Sequence, residues 1–338
     1  MAGLEDVARQ AGVSPITVSR VIRNHPSVRP ATAERVRAAI EELGYIPNAA
    51  ARGLKQNRSG LIALVVTNLT SPFFADVARG ADAATRAAGL TLLVINSNDE
   101  PDHERAILRV IGEHRVDGIV LVPTAEAAQS IAGKIPATMP LVLFDWKAPG
   151  VDADIVRCDV ESAARELTAH LIEQGHKRIA MVGGLPGLPP WRDRVTGYRT
   201  AMEQAGLEVG DDLVVDGNFR TSDGVAAVET LLKLEDRPTA IIAANAQVSL
   251  GVLEAISTHG VAVPGEIEIA TMDDPLPITS FWQRLPCVVQ PGYEMGQAAV
   301  ELLISRLDGT QRDATPREVI FPGVLRPRVT HQSRTTHP

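Results

Sequence analysis

The stretch that decides the fold is Asp6-Val7-Ala8-Arg9-Gln10-Ala11-Gly12-Val13-Ser14-Pro15-Ile16-Thr17-Val18-Ser19-Arg20-Val21-Ile22. Leu4, Val7, Ala8 and Ala11 recur at i, i+3, i+4, i+7, the spacing of a short amphipathic helix. Gly12 offers a left-handed residue where that helix must stop. Ser14 and Pro15 then start a second helix as N-cap and first helical residue, with Val18, Val21 and Ile22 on one face. Pro30 opens a third, whose apolar face is Val36, Ala39, Ile40 and Leu43. Three short helices with a tight turn between the first two follow the helix-turn-helix plan. Spacing alone equally allows an ordinary three-helix bundle.

Charge separates this head from the rest of the chain. Residues 1–60 hold nine Arg and Lys against five Asp and Glu, a balance of +4, whereas the remainder carries −12. A basic head on an acidic body lets the head meet phosphates while the body repels DNA that approaches wrongly. Cys158 and Cys287 are the only cysteines among 338 residues and have no metal-type spacing, which suits a reducing compartment. The start of the chain is acidic and lacks the apolar run of a secretory signal. No stretch approaches the roughly 20 apolar residues of a membrane helix. A cytoplasmic protein without a membrane partner is expected.

The strings Asp6-Val7-Ala8, Ala11-Gly12-Val13-Ser14, Thr17-Val18-Ser19-Arg20-Val21 and Glu42-Leu43-Gly44-Tyr45-Ile46-Pro47-Asn48 closely resemble the head of the LacI/GalR repressor family. The resemblance continues over almost the whole chain. It implies that the second helix enters the major groove, where its first residues, Pro15 and Ile16, meet base edges. Arg20, one turn on, can bond guanine O6 and N7 together. Ile16 has no hydrogen-bonding group and would read thymine methyls or shape. Thr17 and Ser19 suit phosphates, or else cap the helix. Asn48 to Lys55 is too short for a stable isolated helix. The resemblance makes it a hinge helix, ordered when two copies meet in the minor groove, with Leu54 wedged between base steps. Gly3 and Arg29 stand where the family usually has capping Ser or Thr, so modest fraying of the first and third helices is expected.

From Leu61 onward, short apolar strands alternate with amphipathic helices. Strands are predicted over 61–66, 90–95, 118–122, 141–144, 179–182, 240–243 and 267–271, and helices over 76–88, 161–174, 197–205 and 249–259. That rhythm means parallel sheets with helices on both faces. The fold expected is an all-α helix-turn-helix N-terminal domain plus an α/β two-lobed, periplasmic-binding-protein-like (type I) domain with parallel sheets. Residues 1–46 would form the head, 47–59 the hinge, 60–330 the effector-binding and dimerisation domain, and 331–338 a polar tail. The first lobe would take about 60–159 plus 291–319, and the second about 160–290 plus 320–330.

Ligands in such folds lie at the carboxyl ends of strands. Strand ends and the resemblance together nominate Thr67, Phe73, Phe74, Asn98, Asp145, Arg194, Phe219, Asn245, Asp273 and Gln290. Carboxylates, an amide and a guanidinium beside aromatic faces suit vicinal hydroxyls on one side and C–H groups on the other, so a mono- or disaccharide is the first expectation. Each residue also has a plainer reading: Asp and Asn at strand ends often cap the next helix, and Phe73 and Phe74 suit a lobe core. Ala246 stands where relatives usually have Asp. Trp146, Trp191 and Trp282 are further aromatics for a wide cleft.

Enzyme readings fare poorly. Asp273-Asp274 is a carboxylate pair without a nucleophile motif, the Gly-rich 183–187 segment lacks a dinucleotide register, and the eight histidines show no ligand spacing. No catalytic residue, metal or cofactor is expected. The expected partners are palindromic double-stranded operator DNA, a small effector and a second copy of the chain in a homodimer. A purine-type corepressor is the alternative effector, and the sign of the switch stays open.

Overall fold

A computed structural model describes residues 2–22, 25–45, 58–114, 116–136, 138–274, 285–309 and 314–328. The chain divides into two compact units, residues 1–59 and 60–338.

In the first unit, α1 (Leu4–Ala11), α2 (Pro15–Ile22) and α3 (Pro30–Glu42) surround a core of Val7, Ala8, Ala11, Val18, Val21, Val36 and Ala39. Gly12 adopts φ 63°, ψ 40°, and Val13 N–H returns to the Ala8 carbonyl at 3.0 Å, closing α1 as a left-handed cap requires. Ser14 Oγ accepts from Thr17 N–H at 3.2 Å, the N-cap bond of α2. The cap missing at Gly3 is partly replaced: the Asp6 carboxylate accepts the Gly3 N–H at 2.9 Å. At Arg29 no side chain caps α3, and Pro30 begins it.

The second unit contains two six-stranded sheets. One runs β11 (Glu318–Pro322), β5 (Asp154–Asp159), β4 (Leu141–Phe144), β3 (Gly118–Leu121), β1 (Leu61–Val66), β2 (Thr91–Asn96). The other runs β12 (Val324–Arg326), β10 (Cys287–Val289), β9 (Glu268–Met272), β8 (Ala240–Ala243), β6 (Ile179–Val182), β7 (Val214–Val215). Strand order is the same in both, so each lobe repeats one plan. Every pairing is parallel except β10 with β12. Central strands such as Ile179–Val182 are buried throughout, as parallel strands covered on both faces must be.

The first sheet carries α4 (Pro72–Ala87), α5 (Pro101–Glu113), α6 (Ala127–Ile131) and α11 (Gly292–Leu307); the second carries α7 (Val160–Glu173), α8 (Pro189–Gln204), α9 (Thr221–Leu231) and α10 (Ala246–Thr258). The chain passes between lobes after β5, after β10 and at Gly323. The last crossing falls later than the expected 319–320 boundary, because residues through Pro322 pair with β5. All four predicted helices also start earlier in the structure, and α4 and α8 gain a Pro at N1 or N2. Among the described residues, no helix is long and apolar enough to cross a membrane.

Helices α9 and α10 cross at glycine. A Cβ on Gly251 would stand 1.8 Å from the Thr221 carbonyl oxygen, and one on Gly224 would stand 2.1 Å from that of Val248. Both obstacles are backbone, which cannot step aside. Gly251→Ala is therefore expected to destabilise this unit by about 1–3 kcal/mol, read as a lowered thermal midpoint. An unchanged midpoint would contradict the close crossing.

Candidate functional sites: an exposed helix face and an interlobe cavity

On α2, Ile16 is 65% exposed, and Pro15 and Arg20 are also exposed. An uncovered isoleucine on the face opposite the buried Val18 and Val21 leaves an apolar contact open. Thr17 is half-buried, and its Oγ1 lies 2.9 Å from Ser14 Oγ, so its hydroxyl is already engaged in the helix start. Ser19 is half-buried. Asn48 and Leu54 lie outside the described residues.

In the second unit, all ten nominated residues line one cavity of about 450 Å³ between the lobes. Thr67, Phe73, Phe74, Asn98 and Asp145 come from the first lobe, and Arg194, Phe219, Asn245, Asp273 and Gln290 from the second. The polar walls are equivalent. Asp145 follows β4 at φ 74° and donates its N–H to Val156 O at 2.9 Å; Asp273 follows β9 at φ 76° and donates to Val288 O at 2.8 Å. Asn98, Asp99 and Phe219 also have positive φ. These five are the non-glycine positive-φ positions among the described residues, and every one lines the cavity. Such a conformation costs a non-glycine residue about 1–3 kcal/mol, so its confinement to one cavity marks a site held in shape by its surroundings.

Arg194 is buried and donates to the Pro190 carbonyl at 2.9 Å. Its guanidinium lies 6.0 Å from the centroid of the Phe219 ring. Burial pushes the Asp145 carboxyl up to about 6, against the pull of Arg194. Burial likewise raises Asp273, opposed by Arg194 and by Gln290, whose Nε2 donates to Asp273 Oδ1 at 2.9 Å. Arg194 Nε and Gln290 Oε1 are buried without a hydrogen-bond partner among the described residues. One donor and one acceptor thus stand ready for a polar ligand, since buried polar atoms are otherwise nearly always paired.

Some nominated residues also hold the fold. Asn245 caps α10, Oδ1 accepting from Val248 N–H at 2.9 Å, and its Nδ2 donates to the Phe219 carbonyl at 3.2 Å. It therefore fixes the backbone that carries Phe219. Phe73 and Phe74 pack in the core as well as on the cavity, their ring centroids 5.1 Å apart. Ala246 is buried at the start of α10. Of the three tryptophans, Trp146 lines the cavity. Trp191 packs against Gly184 in the core and donates from Nε1 to Asp216 at 2.8 Å, which corrects its expected place in the cleft. Trp282 lies outside the described residues. Asp274 turns to Arg326 at 3.7 Å, so Asp273-Asp274 is no shared-proton dyad. The nominations missed Asp99 and Arg220, on the connections after β2 and β7. Gln247 joins the lobes directly, donating to the Thr70 carbonyl at 3.3 Å.

A family model described as "Bacterial regulatory proteins, lacI family" matches residues 3–48, and one described as "Periplasmic binding proteins and sugar binding domain of LacI family" matches residues 59–325. The HTH-type transcriptional repressor PurR of Photobacterium profundum is 34% identical over 309 residues, covering 91% of this chain and 92% of its own. The ribose operon repressor of Escherichia coli (strain K12) is 35% identical over 310 residues, covering 91% and 93%. A solved transcriptional regulator CelR–cellobiose complex superposes with a TM-score of 0.71 at 29% identity, over 97% of this chain and 99% of that one. The lac repressor dimer bound to operator and an anti-inducer shares the fold, with a TM-score of 0.83 at 24% identity over 97% and 98%. With both units matched, the chain belongs to the LacI family of bacterial regulatory proteins and is a DNA-binding transcriptional regulator, not an enzyme.

Proposed function

We propose that this regulator is a repressor whose operator affinity is set by a sugar-like effector bound between the two lobes. The observation that carries the reading is the pairing of Asp145 with Asp273 across one cavity, with Arg194 charged between them and Phe219 against its guanidinium. Carboxylates accept from hydroxyls, the guanidinium donates, and the phenyl ring covers a C–H face. Because each lobe supplies one carboxylate, a ligand bridging both favours one relative arrangement of the lobes. Only such differential affinity shifts an equilibrium.

The head works as half of a homodimer on a palindromic operator, because one helix-turn-helix binds too weakly alone. Leu93 and Val94 on the edge strand β2 and Val110 on α5 are exposed apolar residues that a second copy would cover. Pro15, Ile16, Thr17, Ser19 and Arg20 contact DNA, with Asn48 and Leu54 serving the hinge. As a repressor working on DNA, the protein is cytoplasmic. A purine corepressor is the second reading, favoured by the flat faces of Phe73 and Phe219 and by the PurR relatives.

Trp146 reports on the effector directly. Titration with neutral sugars and purines is expected to change tryptophan emission, and Trp146→Phe to remove most of that change. Emission unchanged across the panel would count against the effector site. For the head, Arg20→Ala is expected to cost about 1–3 kcal/mol of specific binding and to relax one operator position. Unchanged affinity with unchanged base preference would refute the contact.

A further inference from the structure

The strand order gives the cavity two ends. Asp145 and Asp273 follow β4 and β9, which occupy equivalent places in the two sheets. Asp99 and Arg220 lie on the connections after β2 and β7, the equivalent edge strands. In each sheet these two places are three strands apart, about 14 Å at the usual strand spacing. That span exceeds one sugar ring and suits two linked rings.

The far end is built, not merely open. Asn98 and Asp99 are consecutive non-glycine residues at φ 57° and 58°, a conformation retained where the surroundings over-determine it. Behind Asp99 stands buried Glu104, its carboxylate tied to Thr124 N–H at 2.8 Å and to Thr124 Oγ1 at 3.0 Å. From the opposite lobe, Arg220 acts on Asp99 through its charge. Burial and Glu104 push the Asp99 carboxyl up to about 6, and Arg220 draws it back. Neither the Asp99 carboxylate nor the Arg220 guanidinium has a hydrogen bond or ion pair among the described residues. Asp99 is half-buried and Arg220 exposed, so acceptor and donor line one cavity from opposite walls, each open to a ligand. Asp99 and Glu100 line this end and Glu104 stands behind it, against one Arg, so a phosphate is disfavoured.

We infer that the cavity contains two subsites in a row, and that Asp99 and Arg220 select the second ring of an uncharged two-ring glycoside. The inference rests on the sugar reading above and goes further by assigning ring number, charge and two specificity residues. Asp99 accepts from hydroxyls of the second ring, and Arg220 donates to a ring or hydroxyl oxygen.

Calorimetric titration of the full chain with glucose, ribose, cellobiose, maltose, inosine and glucose phosphate tests it, for the unchanged protein and for Asp99→Asn and Arg220→Ala. A disaccharide is expected to bind most tightly. Each variant should weaken that disaccharide about tenfold or more, as loss of a hydrogen bond to a charged group does, while glucose and ribose change by less than about twofold. A monosaccharide, inosine or the phosphate binding most tightly would overturn the inference. So would variants that weaken mono- and disaccharides alike, which would make Asp99 and Arg220 general closing residues. If a monosaccharide binds and no disaccharide does, the inference fails and the sugar reading stands. If no sugar binds at millimolar concentration, both fall.

Discussion

Replacing Arg194 with Met is expected to weaken effector binding about a hundredfold and to make operator binding insensitive to the effector. The side chain is buried, bonded to the Pro190 carbonyl, and keeps Nε unpartnered. A hydrogen bond to a charged group contributes about 1.5–3 kcal/mol, and the upper end of that range is about a hundredfold in affinity. Removing the guanidinium also strips Asp145 and Asp273 of the charge that opposes their burial, so both carboxyls move further upward. Met preserves much of the volume beside Phe219, which separates loss of charge from loss of packing. Calorimetry on the variant reads the effect. Lys should rescue poorly, because a point charge does not reproduce a planar fork of donors. Wild-type affinity in Arg194→Met would remove Arg194 from the site.

The second large effect concerns stability. The Asp154 side chain is fully buried at the start of β5 and is held by two arginines, Arg306 from α11 at 2.6 Å and Arg317 at 3.0 Å. Arg306 also donates to the carbonyls of Ala314 at 2.6 Å and Thr315 at 3.2 Å. These bonds tie β5, α11 and the approach to β11 together, at the end of the β5–β11 pair away from Gly323. Arg306→Met leaves a buried carboxylate with one partner, and breaking such pairs costs about 3–5 kcal/mol. With Arg317 remaining, about 3 kcal/mol is expected, a fall in melting temperature of roughly 5–10 °C.

Acid titration gives an independent check. The arginines hold the Asp154 carboxyl down at about 2 rather than 3.8, against the upward push of burial. A depressed carboxyl stabilises the fold above its unfolded value, and that contribution disappears as pH falls from about 4 through about 2. It amounts to about 2 kcal/mol. The acid limb of the stability curve should therefore be shallower in Arg306→Met than in the unchanged protein. Identical limbs would show that the arginine does not govern this carboxyl.

How much of this was legible in the sequence depended on burial. Runs such as Leu61–Val66 and Ile179–Val182 are apolar throughout because their sheets are covered on both faces, and their ends point to the cavity by the rule for parallel sheets. Thus Asp145 and Asp273 could be picked from linear sequence although 128 positions separate them. Strand β5 escaped because Asp154, Arg157 and Asp159 interrupt its pattern; two of those polar groups exist to make ion pairs. The edge strands β11 and β12 are half covered, and their apolar runs, Val319-Ile320-Phe321 and Val324-Leu325, are too short to stand out. Helix α8 was predicted to begin at Gly197, since Trp191-Arg192-Asp193-Arg194 reads as polar. In the structure Trp191 and Arg194 are buried on one face of that helix. Asp99 and Arg220 had no signal of either kind: they sit on connections, where no periodicity marks which way a residue faces. The cap at Asn245 illustrates the opposite limit, where the plainer reading of a polar residue was also true.

In the proposed mechanism, occupancy of the interlobe cavity sets affinity for DNA. Fluorescence anisotropy of the full chain on a labelled palindromic segment of its own upstream DNA tests this most directly, at one fixed salt concentration because salt alone changes such affinities greatly. Specific binding is expected to change about tenfold or more when the tightest-binding sugar is added, a typical size for coupling between sites, with no such change in Arg194→Met. A sugar that binds by calorimetry yet leaves operator affinity the same would contradict it.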